Sequence, residues 1–193
     1  MTVLVCFSGQ IGSGKSSVSV AVATSLGWSR TGFGDYLRAR ILQAGGDPHS
    51  RETLQDLGQR LVEADPEEFC RSVLTDGGFK PGEDFLIDGV RHVAIFRILA
   101  HIAAPSAARL LFLSANEALR LDRIADRPDK DDFARAATHR AEAELRDDLP
   151  AVADKIIDAS RPFGDVVADC TEAIKAWRDP CGPESTPGMQ TPR

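Results

Sequence analysis

The chain has 193 residues, of which 42% are hydrophobic and 27% charged, a composition typical of one soluble globular domain. Its formal net charge of −6 argues against broad nucleic-acid binding, which draws on clustered cations. The first apolar run, Val3 to Phe7, has no basic flank and ends near a glycine, so we predict neither a signal peptide nor a membrane partner. The cysteines lack metal-ligand spacing, which indicates reduced thiols in a cytoplasmic protein.

The N-terminal segment reads as a strand, a glycine-rich loop and a helix. Residues 9–16 have the sequence Gly-Gln-Ile-Gly-Ser-Gly-Lys-Ser, which matches the phosphate-binding loop of nucleoside triphosphate sites. In such a loop the backbone N–H groups surround the β-phosphate, Lys15 bridges the β- and γ-phosphates, and the Ser16 hydroxyl ligates Mg²⁺. The predicted cofactors are therefore ATP and Mg²⁺. The predicted nucleotide-binding residues are Gly9, Gly12, Ser13, Gly14, Lys15, Ser16 and Ser17.

The first half of the chain then alternates helices with one short strand. Hydrophobic spacing predicts a helix from Ser16 to Leu26, a strand near Trp28 to Phe33, and a helix from about Tyr36 to Ala44 that Asp35 caps. Two more helices are predicted before residue 78, and the second has the start signal Asp65-Pro66.

The second half supplies three strands and the helices between them. Strands are predicted at Phe85–Ile87, Arg109–Leu113 and Lys155–Asp158. Helices are predicted at Val93–Ala104, Asn116 to about Arg127, a segment ending near Asp148, and a final helix that carries Phe163, Val166, Val167, Cys170, Ile174 and Trp177 on one face. This alternation predicts an α/β fold of three layers, with a mostly parallel five-stranded sheet between helices. Residues 1–178 are predicted to form the domain, and residues 179–193, rich in proline, a disordered tail.

Polar residues that follow strands are site candidates, because ligands of such sheets lie beyond the carboxyl ends of the strands. Asp88 follows Phe85–Ile87 and is predicted to hold Mg²⁺, and Arg91 is placed to pair with a substrate phosphate. Asp35 has two interpretations, a helix cap or a group that orients or deprotonates an acceptor hydroxyl. Arg38, one turn later, and Arg51 are candidates for binding the acceptor.

A basic helical segment precedes a polar stretch and predicts a short lid over residues 120–135. Arg120, Arg123 and Arg127 share one helical face, and the sequence Pro-Asp-Lys-Asp-Asp follows at 128–132. Cations on a closing lid would stabilise charge on the transferring group and exclude water. Arg123 and Arg127 are the stronger candidates and Arg120 the weaker one.

These segments resemble the P-loop nucleoside monophosphate kinases and dephospho-CoA kinase. Residues 9–16 are similar to the loop of dephospho-CoA kinase, and Gly34-Asp35-Tyr36-Leu37-Arg38 resembles an adenylate kinase segment whose arginine holds the acceptor phosphate. Asp88-Gly89-Val90-Arg91 is similar to an Asp-Gly-x-x-Arg segment of those kinases, without their proline before the arginine. Residues 50–58 resemble small kinase-like proteins that include phage deoxynucleoside monophosphate kinases. The resemblance implies a P-loop kinase fold.

The resulting prediction is an ATP-dependent phosphotransferase that acts on a small nucleotide-like acceptor, above all a (deoxy)nucleoside monophosphate. Two alternatives stay open: a dephospho-CoA kinase, whose acceptor is a ribose hydroxyl, and a non-catalytic ATP-binding regulatory module. We expect a monomer or homodimer. The predicted catalytic residues are Lys15, Asp35, Arg123 and Arg127. The predicted acceptor-binding residues are Asp35, Arg38, Arg51 and Arg91, and the predicted metal ligands are Ser16 and Asp88.

Overall fold

The centre of the fold is a parallel β-sheet, seen in a computed structural model that describes residues 1–125 and 144–179. Its five strands lie in the order β2-β3-β1-β4-β5, and each of the four neighbouring pairs is parallel. The strands are β1 (Val3–Gly9), β2 (Ser29–Gly32), β3 (Phe85–Asp88), β4 (Ala107–Ser114) and β5 (Lys155–Asp158). The predicted five-stranded sheet is confirmed.

Helices cover both faces of this sheet. They are α1 (Lys15–Leu26), α2 (Phe33–Gln43), α3 (Arg51–Ala64), α4 (Pro66–Asp76), α5 (Val93–Ile102), α6 (Glu117–Ala125), α7 (Asp148–Val152) and α8 (Phe163–Arg178). Successive residues of β1 alternate between two hydrophobic cores, so Leu4 packs with α2, α4, α5 and α7, whereas Val5 packs with α1 and α8. The predicted three layers are therefore present, and β1 is buried throughout because helices cover it on both sides.

Two local predictions are wrong. Helix α2 begins at Phe33, two residues before Asp35, so Asp35 lies in the first turn and does not cap the helix. The burial of Phe33 against Phe69 extends the helix toward β2, a tertiary contact that the capping pattern does not reveal. Phe163 begins α8 but is 54% exposed, so it does not share the buried face of Val166.

Other local signals are confirmed. The carboxylate of Asp65 accepts a hydrogen bond from the backbone N–H of Glu68 at 2.9 Å, and Pro66 is the first residue of α4. Cys6 and Cys70 are buried with free thiols, as expected of small hydrophobic side chains. Within the described residues, no helix has the length and apolar character needed to cross a membrane.

Candidate active site

The glycine-rich loop between β1 and α1 depends on backbone conformations that favour glycine. Gly12 and Gly14 both have φ of 82°. A Cβ on Gly12 would lie 2.6 Å from the carbonyl oxygen of Arg120, so the loop packs directly against α6. Gly9, with φ of 149°, lies beneath the loop, where a Cβ would come within 2.6 Å of the carbonyl oxygen of Leu113. Gly9 therefore allows close packing on β4 and does not line the cleft described next.

A cleft of about 890 Å³ opens where β1, β2, β3 and β5 end. The loop forms one wall, and α2, α3 and the start of α5 form another. Of the residues predicted from the sequence, those that line this cleft are Gly12, Ser13, Gly14, Lys15, Ser16, Ser17, Asp35, Arg38, Arg51, Asp88, Arg91 and Arg123. Arg127 lies outside the described residues, and so does the lid segment after residue 125. The cleft thus joins the predicted nucleotide side to the predicted acceptor side.

Arg30, which the sequence interpretation missed, connects the two sides. From β2 its Nη1 donates to Oδ2 of Asp35 at 3.0 Å, and its Nη2 donates to Oδ2 of Asp88 at 3.2 Å. Its Nε donates to Oγ of Ser19 on α1 at 2.9 Å. A signal for Arg30 existed: an arginine within a predicted strand needs charged partners where its side chain is buried, and this one is 16% exposed.

Asp88 combines deep burial with an unused acceptor atom. Its side chain is 7% exposed, and within the part of the chain that the structure describes its Oδ1 is buried with no hydrogen-bond partner. A buried carboxylate oxygen in this state fits a hard cation or an ordered water. In residues 1–125 and 144–179 no three His, Cys, Asp or Glu side chains form a metal-binding group. The donor set of Asp88 and the Ser16 hydroxyl, which line the same cleft, fits a Mg²⁺ ion that would take its other ligands from water or a bound anion.

The acceptor side is lined by arginines above apolar side chains. Arg38 on α2 donates to Oδ1 of Asp35 at 3.3 Å and keeps 46% of its side chain exposed. Arg51 at the start of α3 and Arg91 after β3 line the same space. The apolar lining comprises Phe33, Leu37, Leu54, Val62 and Phe69. Such a surface can take a ligand with an anionic group and a flat or apolar part.

Helix α6 holds the loop from above. Nη1 of Arg120 donates to the carbonyl oxygen of Ile11 at 3.2 Å, so this weaker candidate of the sequence interpretation contacts the loop itself. Nη2 of Arg123 donates to the carbonyl oxygen of Ala159 at 3.0 Å. Nη1 of Arg123 donates to the carbonyl oxygen of Ser13 at 3.4 Å. The first part of the predicted lid, residues 120–125, is thus a helix that packs on the phosphate-binding loop.

A histidine at the mouth of the cleft is a second contact that the sequence did not reveal. Nδ1 of His92 lies 3.0 Å from Oε1 of Glu144, whose Oε2 accepts a hydrogen bond from the N–H of Val93 at 3.1 Å. This pair ties Glu144 to the start of α5.

Solved structures with the same architecture include several kinases. A gluconokinase from Sinorhizobium meliloti is 17% identical, covering 93% of this chain and 94% of its own, with a TM-score of 0.56. A shikimate kinase from Bacteroides thetaiotaomicron is 14% identical, covering 90% of this chain and 98% of its own, with a TM-score of 0.59. A sugar kinase from a Janibacter species is 18% identical, covering 91% of this chain and 95% of its own, with a TM-score of 0.53. No protein-family model and no curated protein matches the sequence.

The chain has the P-loop kinase fold. The loop side of the cleft is also lined by Ala159, Arg161 and Phe163. The guanidinium of Arg161 pairs with Asp165 at 3.5 Å and with Asp169, so its charge is already compensated. The exposed ring of Phe163 offers an apolar surface beside the loop.

Proposed function

We propose that the protein is an ATP- and Mg²⁺-dependent phosphotransferase whose acceptor is a small molecule carrying a phosphate, in the first place a (deoxy)nucleoside monophosphate. The observation that carries this proposal is the charge of the acceptor side. Three arginines, Arg38, Arg51 and Arg91, line the acceptor side, in a chain whose formal net charge is −6. Asp35 and Asp88 line the same cleft, and both pair with Arg30. Arginines that line a cleft of an acidic protein favour an anionic ligand such as a phosphate.

The groups of the cleft divide between donor and acceptor. Lys15 and the loop N–H groups would hold the β- and γ-phosphates of ATP, and Ser16 and Asp88 would hold Mg²⁺. When bound, Mg²⁺ offsets negative charge on the triphosphate. Arg123 would stabilise charge on the transferring group from above the loop. These contributions are positioning and charge stabilisation, which carry most of the rate in phosphoryl transfer.

A phosphate acceptor requires little acid–base chemistry. An oxygen of the acceptor phosphate forms a bond to the γ-phosphorus while the bond from that phosphorus to the bridging oxygen breaks, and ADP leaves. Because a phosphate monoester is largely deprotonated at neutral pH, no general base is needed. Asp35 then has an orienting role, since its two carboxylate oxygens accept hydrogen bonds from Arg30 and Arg38 and so fix Arg38 at the cleft.

A second candidate is transfer to an alcohol, as in dephospho-CoA kinase. It is favoured by the position of Asp35 in the cleft and by the fold neighbours, which are named as kinases of shikimate, gluconate and a sugar. In that reaction Asp35 would take the proton of the hydroxyl. The two arginines already bonded to its oxygens oppose this role, because both carboxylate oxygens that would approach the hydroxyl already accept hydrogen bonds.

The deciding experiment is ADP release from Mg·ATP against a panel of acceptors. The panel contains nucleoside and deoxynucleoside monophosphates, nucleosides, dephospho-CoA, shikimate and gluconate. Stimulation by monophosphates supports the proposal, and stimulation by an alcohol alone selects the second candidate. Bound ATP with no stimulation by any acceptor favours a regulatory nucleotide-binding module.

Two arginines of α2 provide a matched pair of variants. Arg38 lines the cleft, whereas Arg40, with 47% of its side chain exposed, pairs with Asp76 at 3.8 Å and lies over the ring of Tyr36. We expect Arg38→Ala to raise the KM for the acceptor roughly 10- to 100-fold, as for the loss of a charge-assisted hydrogen bond, with the KM for ATP nearly unchanged. Arg40→Ala should change neither value. Equal effects of the two substitutions would refute the acceptor site.

A further inference from the structure

Arg30 is held as a fixed charge by two carboxylates that line the cleft, and it is not itself among the lining residues. Its guanidinium is shared between Asp35 on α2 and Asp88 at the end of β3, at 3.0 and 3.2 Å. The third nitrogen, Nε, is bonded to Ser19, and the side chain is only 16% exposed. Because all three nitrogens donate to protein oxygens, this arginine differs from Arg38, which extends into the cleft.

Ser19, which binds Nε of Arg30, lies one helical turn after Ser16, a predicted metal ligand. Ser19 is fully buried, and its hydroxyl accepts from Nε of Arg30 and donates to the carbonyl oxygen of Ser16 at 2.9 Å. The guanidinium is therefore tied to the first turn of α1 as well as to both carboxylates. Three contacts thus hold the side chain, two with carboxylates and one with the Ser19 hydroxyl.

Two carboxylates that face one position commonly supply ligands for a divalent cation. Here Oδ2 of Asp35 and Oδ2 of Asp88 both face the guanidinium, which therefore stands where a cation would compensate them. Their charges are partly neutralised before any ligand enters. A second cation at Asp88 would meet electrostatic repulsion from Arg30, in a poorly solvated place where such repulsion is strong.

We propose that Arg30 is a positioning residue that acts as an internal counter-charge: it prevents Asp35 and Asp88 from binding a divalent cation in the nucleotide-free protein. The metal then enters only together with the triphosphate, whose negative charge offsets the guanidinium. The inference rests on the proposed function for its biological meaning. Its test uses neither ATP nor an acceptor, so it can fail or hold independently of the kinase assay.

The unused oxygen of Asp88 explains why the counter-charge does not abolish metal binding altogether. Arg30 engages Oδ2, whereas Oδ1 is buried and makes no hydrogen bond to any residue in the described part of the chain. One oxygen is thus held in position and the other is left for a ligand. This division suits an ion that keeps most of its water and takes few carboxylate oxygens, as Mg²⁺ does.

The test measures Mn²⁺ binding to the nucleotide-free protein, with free Mn²⁺ followed by electron paramagnetic resonance. We expect the unsubstituted protein and Arg30→Lys, which retains the charge, to bind no Mn²⁺ below roughly 1 mM, since two compensated carboxylates are a poor site. Arg30→Gln should bind one Mn²⁺ at least about tenfold more tightly, because the repulsion is gone. Adding Asp88→Asn to Arg30→Gln should remove that site. Arg40→Gln on α2 is the matched control and should change nothing.

Three results would overturn the proposal. The first is tight Mn²⁺ binding by the unsubstituted protein that Asp88→Asn abolishes. The second is no gain of binding in folded Arg30→Gln, with folding checked by circular dichroism. If Arg30→Gln does not fold, Mn²⁺ affinity is compared between the single variant Asp35→Asn and the double variant Asp35→Asn/Arg30→Gln. Neutralising Asp35 removes much of the negative charge that the loss of Arg30 would leave uncompensated. The third is equal Mn²⁺ affinity in that pair, whereas tighter binding by the double variant supports the counter-charge.

Discussion

Replacing Gly12 by alanine tests how the phosphate-binding loop is held against α6. The added Cβ would lie 2.6 Å from the carbonyl oxygen of Arg120 and 2.9 Å from Cδ1 of Ile124, at a position whose φ is +82°. The backbone carbonyl cannot rotate away as a flexible side chain can. Helix α6 must therefore move by several tenths of an ångström, or the loop must change its conformation.

The cost of this change has two parts. An alanine in left-handed backbone costs about 1–2 kcal/mol. Moving α6 also weakens the hydrogen bonds from Arg120 to Ile11 at 3.2 Å and from Arg123 to Ser13 at 3.4 Å. These bonds are partly exposed and long, so we assign them about 1 kcal/mol each. The expected loss of unfolding free energy is about 3–4 kcal/mol, the sum of strain and lost contacts.

Gly27→Ala is the matched control for the Gly12 substitution. Gly27 ends α1 with φ of +68°, and a Cβ there would meet no atom of the described residues within 4 Å. It should therefore cost only the backbone strain, about 1–2 kcal/mol. Urea unfolding of the nucleotide-free proteins, followed by tryptophan fluorescence, measures both losses, and ATP binding should weaken only in Gly12→Ala. Equal losses in the two variants would refute the packing of α6 on the loop.

Three further predictions concern catalysis, pH and capping. Lys15→Ala should abolish acceptor-dependent ADP release while the circular dichroism spectrum stays unchanged, and full activity would contradict the assigned role of the loop lysine. Burial raises the pKa of Cys70 and of Cys170 to about 12, and that of Cys6 further, so unfolding should release protons above pH 9 and the free energy of unfolding should fall between pH 9 and 12. The free energy of unfolding falls by at most about 1.4 kcal/mol per thiol per pH unit. Urea unfolding midpoints measured across this pH range should depend less on pH in Cys170→Ala than in the unsubstituted protein. An equal pH dependence would contradict a contribution from that thiol. Asp65→Ala should lower the free energy of unfolding by about 1 kcal/mol through loss of the bond to Glu68, Asp65→Asn should lose less, and a thermal melt of the two variants measures the difference.

Signals confined to a few neighbouring residues determined most of the elements. The loop at residues 9–16, the short apolar strands and the Asp65-Pro66 start of α4 depend on local backbone preferences, and each occurs where the pattern predicts it. Where packing competes with a local preference, the prediction fails. The start of α2 is set by the burial of Phe33, and Phe163 is left outside the core although its spacing matches the buried face of α8.

The candidate site shows the same division between local and tertiary information. The sequence by itself determined which residues follow the strands, because the order of strands and helices in a parallel sheet brings those positions to one edge. It could not determine how their charges pair. Arg30, Asp35 and Asp88 come from β2, α2 and β3, and their ion pairs exist only because the parallel register places Gly32 beside Asp88. Charge pairing is a property of distances across the chain, and only the tertiary structure decided those distances.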